Sequence, residues 1–232
     1  MMKQHFERYP GLDSITGLLM NLLLLFIFIP MMVFAQHERT DHWKSRVDLF
    51  DREAKNATPG KIVFLGNSIT EGYDLEKYFP DSTIINRGIS GDHIDGLLAR
   101  FENSVTVWKP VKLFVLIGIN DIGALDTVEQ IIANYKKLLK VIADSLPDTR
   151  VYFNSILPTT PQWGNCPKDK IVRLNSELRQ LCSDYKYTWI DIHNEFVTAD
   201  GNLNISLTSD GLHLNAAGYE KWTGILTPYV LE

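Results

Sequence analysis

The chain has 232 residues, of which 45% are hydrophobic, 22% charged and 11% aromatic, with only 2 Cys. That balance excludes disordered, collagen-like and disulfide-scaffold classes, and the length suits one domain with a sizeable core. A formal charge of −5 leaves no overall basic footprint for nucleic acid.

The stretch from Leu18 to Phe34 is almost wholly apolar and carries no charge. Its 17 residues are slightly long for a signal-peptide apolar region and slightly short for a bilayer span of about 20. Pro30 weakens a continuous helix there, and Val33-Phe34-Ala35 places small or modest residues where a signal peptidase cuts. Lys3 and Arg8 are offset by Glu7 and Asp13, an atypical start for such a segment. Residues 1–35 read as a signal peptide cleaved after Ala35, with an uncleaved anchor as the alternative. Residues 36–232 then form one exported domain, periplasmic or secreted, touching membrane only if the segment stays. No Cys follows the cleavage site, so a lipid anchor is not indicated.

An amphipathic helix carrying Trp43, Val47, Phe50 and Ala54 opens the domain. Residues 62–65, 83–85, 113–117, 151–153 and 189–190 are short apolar runs rich in β-branched and aromatic residues, and they read as strands. Several lack polar alternation, as expected of strands covered on both faces. The clearest helix lies between the third and fourth runs. It carries a stripe of Val128, Ile131, Ile132, Tyr135, Leu138, Leu139 and Ile142, with Thr127 and Gln130 as a capping box. Ile171, Leu174, Leu178, Leu181 and Tyr185 mark another between Cys166 and Cys182. A helix rising about 1.5 Å per residue holds those thiols roughly 20 Å apart, so two unpaired cysteines are expected, one of them buried. A last helix spans about 216–229. Strands alternating with helices predict an α/β fold, a three-layer α/β/α flavodoxin-like domain with a five-stranded parallel sheet. Ligands in such sheets bind beyond the carboxyl ends of the strands.

Those ends carry four blocks: Gly66-Asn67-Ser68-Ile69-Thr70, Asn86-Arg87-Gly88, Gly118-Ile119-Asn120-Asp121 and, before the last helix, Asp210-Gly211-Leu212-His213. Each alone has a bland reading. A Gly-x-Ser is usually a turn, Gly88 a backbone device, Asn120-Asp121 ordinary turn chemistry and a lone His a solvated side chain. Their joint order resembles the SGNH, or GDSL-type, esterase family, over essentially the whole of 61–232. The resemblance implies Ser68 as nucleophile, His213 as base and Asp210 as its orienting acid. It also implies an oxyanion hole of the Ser68 N–H, Gly88 and Asn120, and no metal or cofactor. Asn67 departs from the family's name motif, which has Asp there. The chemistry fits: a serine hydroxyl needs an adjacent base, and a carboxylate on the far imidazole nitrogen fixes its tautomer. An ordinary α/β-hydrolase elbow, Gly-x-Ser-x-Gly, fails because Thr70 occupies its fifth position.

Other residues carry weaker signals. Ile69, Tyr73, Ile119 and Trp163 are candidates for the substrate pocket, Trp163 equally for packing its own loop. Asp191 and His193 read as a hydrogen-bonded structural pair, since no third metal ligand stands near them in sequence. Asp92 is placed as the cap of the helix after the second strand, and Arg87 in a surface salt bridge. Asn56 and Asn204 are glycosylation acceptors in a host that glycosylates. Within the family, the resemblance is to the compact acetylhydrolase and carbohydrate-acetylesterase branch. It implies an exported serine esterase removing a short acyl group, acetyl above all, from a small alcohol, sugar or glycan. A lysophospholipase or thioesterase on longer chains, and an inactive carbohydrate-binding relic, are the alternatives.

Overall fold

A computed structural model describes residues 37–80 and 83–232, so the cleavage site expected after Ala35 lies outside the described residues. In chain order the elements are α1 (Asp41–Ala54), β1 (Ile62–Gly66), α2 (Ser68–Glu71), α3 (Leu75–Tyr78) and β2 (Ile84–Gly88). Next come α4 (Ile94–Ala99), α5 (Phe101–Ser104), β3 (Lys112–Leu116), α6 (Ile119–Gly123), α7 (Val128–Ser145) and β4 (Arg150–Asn154). The chain closes with α8 (Lys168–Asp184), β5 (Thr188–Ile190), α9 (His193–Phe196) and α10 (Ala216–Leu231). Among the described residues, no helix is long and apolar enough to cross a membrane.

The five strands are parallel in the order β2-β1-β3-β4-β5, the flavodoxin-like arrangement anticipated above. β1 and β3 are neighbours although β2 intervenes in sequence, so the chain reverses direction across the sheet between them. That switch point opens a crevice at their carboxyl ends, where Gly66 and Leu116 are register partners.

One sheet face carries an in-register aromatic row. Phe64 stacks on Phe114 at 4.7 Å and Phe114 on Tyr152 at 4.6 Å between ring centroids. Tyr73, Trp222 and Tyr229 lie over that row from the connection after β1 and from α10. α7 opens with the anticipated capping box: Gln130 N–H donates to Thr127 Oγ1 (3.2 Å) and Thr127 N–H to Gln130 Oε1 (2.8 Å). Cys166 and Cys182 are unpaired as expected, but both are buried: Cys182 lies on the core face of α8, and Cys166, in the loop before that helix, packs against Ile119 and Thr159.

β2 runs three residues past its apolar stretch, since pairing with β1 continues through Asn86, Arg87 and Gly88. Gly88 is therefore the last rung of a ladder, opposite Gly66, and that placement matters for the site.

Candidate active site

Asn67 sits buried at the end of β1, where its Oδ1 accepts the Ile69 N–H at 3.1 Å and fixes the turn into α2. The turn presents Ser68. Its Oγ lies 2.9 Å from Nε2 of His213, 145 residues away in sequence. On the far side of the ring, His213 Nδ1 lies 2.7 Å from Asp210 Oδ2. An oxygen, an imidazole and a carboxylate are thus in continuous hydrogen-bond reach, the arrangement needed to move a proton off a serine.

The loop bearing the acid and base braces itself. Asp210 Oδ1 accepts the amides of Leu212 (3.0 Å) and His213 (2.8 Å). Thr208 Oγ1 accepts from Gly211 N–H (2.8 Å) and donates to the His213 carbonyl (2.7 Å). Gly211 is required twice over. Its φ is +86°, and an added Cβ would meet Thr160 Oγ1 at 2.0 Å. Trp163 Nε1 donates to the Asp210 carbonyl at 2.8 Å, Gln162 donates to the same oxygen, and the Trp163 ring stands edge-on to His213 at 6.5 Å. Burial raises the Asp210 carboxyl, but the His213 ring and the two amides outweigh it and hold the group below the ordinary aspartate value.

Opposite stand the donors that would face a developing oxyanion. The Ser68 N–H has no acceptor among the described residues, and α2 is only four residues long, so this single N–H matters more than any helix dipole. Asn120 spends one Nδ2 hydrogen on the Asp92 carbonyl (2.8 Å), which leaves the other for a ligand. Gly88 does not fit the role the sequence suggested. Its N–H donates to Asn86 Oδ1 at 2.8 Å, and an added Cβ would lie 2.1 Å from the Glu71 amide. Gly88 is glycine so that β2 can pack on α2. Three residues on, Gly91 has φ +76°, open space around it and an N–H with no acceptor among the described residues. Its left-handed backbone was the missed signal, and nothing in the bare sequence separates the two glycines.

Behind the donors lies a buried ion pair. Arg100 Nε is 2.8 Å from Asp92 Oδ2, and the same guanidinium donates to the carbonyls of Gly66 (3.1 Å) and Arg87 (2.9 Å). Asp92 is therefore no helix cap. His93 holds that position, and the Ile94 N–H goes to Asp121 Oδ1 at 3.2 Å.

Ile69 and Ile119, both buried, line a crevice with Asn67, Ile156, Thr159 and Leu212, among others. Its free volume is about 10 Å³, room for about one water molecule. Its walls include the immediate neighbours of Ser68, Asn120 and His213. Tyr73 is not among them. It is buried against Trp222 at 4.7 Å, with its hydroxyl on Thr223, so it belongs to the core. Arg87 makes the expected salt bridge, to the partly exposed Glu53 (2.8 Å), but its own guanidinium is buried on the rings of Phe50 and Trp108. Asp191 and His193 do not bond each other but share Ser155, whose Oγ accepts the His193 N–H (2.7 Å) and donates to Asp191 (3.4 Å).

The model of the GDSL-like lipase/acylhydrolase family matches residues 64–221, a span that holds Ser68, Gly91, Asn120, Asp210 and His213. The chain belongs to this family. This GDSL-type acylhydrolase is also 33% identical over 165 residues to an N-acylneuraminate cytidylyltransferase of Streptococcus agalactiae, a match covering 71% of the chain. It spans only 36% of that longer relative. With platelet-activating factor acetylhydrolase IB subunit alpha1 of Pongo abelii it shares 28% identity over 183 residues, 76% of this chain and 78% of the relative. Among solved structures, a Streptococcus pneumonia protein described as a platelet activating factor superposes with a TM-score of 0.76 at 28% identity. That superposition covers 92% of this chain and 97% of the other. The chain thus carries this family's α/β three-layer fold.

Proposed function

We propose that this acylhydrolase is an exported serine esterase that removes acetyl groups from a sugar or glycan alcohol through an acyl-enzyme. The observation that carries the reading is the contact series Ser68 Oγ to His213 Nε2 (2.9 Å) and His213 Nδ1 to Asp210 Oδ2 (2.7 Å). Ser68 Oγ attacks the ester carbonyl carbon while His213 Nε2 takes its proton. The carbonyl oxygen becomes an anion held by the Ser68 N–H, the Gly91 N–H and the open Asn120 Nδ2 hydrogen. As this intermediate collapses, the carbon–oxygen bond to the alcohol breaks and His213 gives its proton to the departing alcohol. Water then attacks the acetyl-serine as His213 accepts a proton, and acetate leaves with Ser68 restored.

The narrow crevice beside Ser68 favours a methyl over a long acyl chain. The acetylhydrolase relative supports the same acyl group, and a relative named for N-acylneuraminate supports a sugar as the alcohol. The uncharged apolar stretch near the N-terminus supports export, which cell fractionation of the processed chain tests.

Mass spectrometry after fluorophosphonate treatment should find the adduct on Ser68, and no adduct there would remove the serine mechanism. Rates on acetyl, butyryl and octanoyl p-nitrophenyl esters should fall as the chain lengthens. A rise would favour a lysophospholipase or thioesterase.

A further inference from the structure

Three side chains outside the reacting groups meet on the flank of α6. His37 comes from the segment before α1, Asp121 from the first turn of α6, and Asp126 from the residues just after that helix. One ligand-capable atom of each lies within 4.8 Å of the others. His37 Nε2 and Asp126 Oδ2 are 3.3 Å apart, the separation of about 3.3 Å between two ligands that each sit about 2.0–2.1 Å from a tetrahedral metal.

Asp121 supplies the independent observation. The residue is 0% exposed, Oδ1 is taken by the Ile94 N–H, and Oδ2 is buried with no hydrogen-bond partner. A carboxylate oxygen in that state is costly unless a cation or proton faces it. The histidine is set up from behind as well. His37 Nδ1 lies 3.2 Å from Asp95 Oδ1, and Arg39 anchors that carboxylate at 2.9 Å. With the ring proton on Nδ1, shared with Asp95, Nε2 is left to face Asp126 with a lone pair. A carboxylate behind an imidazole is the usual support of a metal-binding histidine. The backbone is bent to the same end. Leu125, with an exposed side chain, has φ +69° just before Asp126, and the Asp126 N–H returns to the Asp121 carbonyl at 3.2 Å.

We propose that His37 Nε2, Asp121 Oδ2 and Asp126 Oδ2 bind one divalent cation of the zinc class. One imidazole and two carboxylates suit such an ion better than calcium or magnesium, which prefer all-oxygen sites. The ion ties the segment before α1 to the helix that carries Asn120, and it takes no part in the ester chemistry.

The test uses the full chain stripped with a chelator and titrated with Zn²⁺ by calorimetry. One equivalent should bind, and affinity should fall at least tenfold in His37→Gln and in Asp126→Asn, while Ser68→Ala binds as the parent does. Zn²⁺ at a hundredfold excess over the parent's Kd should raise the parent's thermal midpoint by about 5–10 °C, and the two ligand variants should move by no more than about half as much. Asp126 is partly exposed, so its variant keeps the measurement informative should His37→Gln fail to fold. No stoichiometric binding would overturn the proposal, because His37, Asp95 and Asp126 would then be held together by hydrogen bonds alone. Binding that survives both ligand substitutions unchanged would overturn it too, since the ion would sit elsewhere.

Discussion

The loop carrying Asp210 and His213 is held by bonds within residues 208–215 and by one neighbouring loop, whereas the donors facing it are held from a distance. Gly91 follows Gly88, which Asn86 and α2 fix in place, and precedes Asp92, which is paired to Arg100. Asn120 in turn hangs on the Asp92 carbonyl. The local side is a compact device that any fold end could display. The donor side exists only because β1, β2, β3 and α4 have converged. Changes on the first side should therefore register as lost chemistry, while changes on the second should mix lost chemistry with lost stability.

Asp210→Asn puts the sharpest strain on that contrast. The amide keeps the shape of the loop but no longer holds the imidazole in the working tautomer, so kcat should fall about 10⁴-fold. The thermal midpoint should stay within about 2 °C of the parent, since the group is an exposed loop acid. A large drop in midpoint with modest loss of kcat would make the loop structural and void the contrast.

The two candidate donors sharpen it from the other side. Asn120→Ala should cost about 10²–10³ in kcat on p-nitrophenyl acetate, or about 2.7–4 kcal/mol. Some stability should go with it, because the Asp92 carbonyl loses its partner. Gly88→Ala should instead be read mainly in denaturant midpoints, because the new methyl would meet the Glu71 backbone. A Gly88→Ala enzyme with parental stability and a hundredfold lower kcat would return Gly88 to the oxyanion hole and displace Gly91.

The same contrast explains what could be read in advance. Strand–helix alternation exposed the sheet because each apolar run is a local signal, and the capping box at Thr127 and Gln130 is likewise local. Asp210 and His213 were legible for that reason, being three residues apart in one loop. Ser68 and Asn120 follow directly on apolar runs, and the family resemblance supplied their roles. Gly88 was misjudged because β2 extends beyond its apolar stretch, and only pairing with β1 reveals that. Tyr73 was misplaced for a similar reason, since its partner Trp222 is far along the chain. The Arg100–Asp92 pair and the His37, Asp121 and Asp126 cluster were invisible, because their members meet only after folding.

Glu71 offers the smallest test, and it probes how the donor loop is tethered. Its Oε2 accepts the Ser90 N–H at 2.6 Å and the Ser90 hydroxyl, Oε1 lies 3.0 Å from Arg46 Nε, and His42 stands 3.1 Å away. Burial raises the carboxyl, but the bonds from Ser90 and His42 and the Arg46 charge outweigh it, so the folded value lies below the ordinary 4.5. A depressed carboxyl stabilises the fold above its unfolded value and loses that contribution as pH falls through the folded one. The parent's thermal midpoint should therefore decline on acidification below about pH 4.5, and Glu71→Gln should show a shallower decline over that window. At neutral pH the variant should be about 1 kcal/mol less stable, with Ser90 left without its charged acceptor. Equal slopes for parent and variant would mean that the loop carrying Gly91 is held by Arg100 and Asp92 alone, and the tether from α2 would drop out of the account.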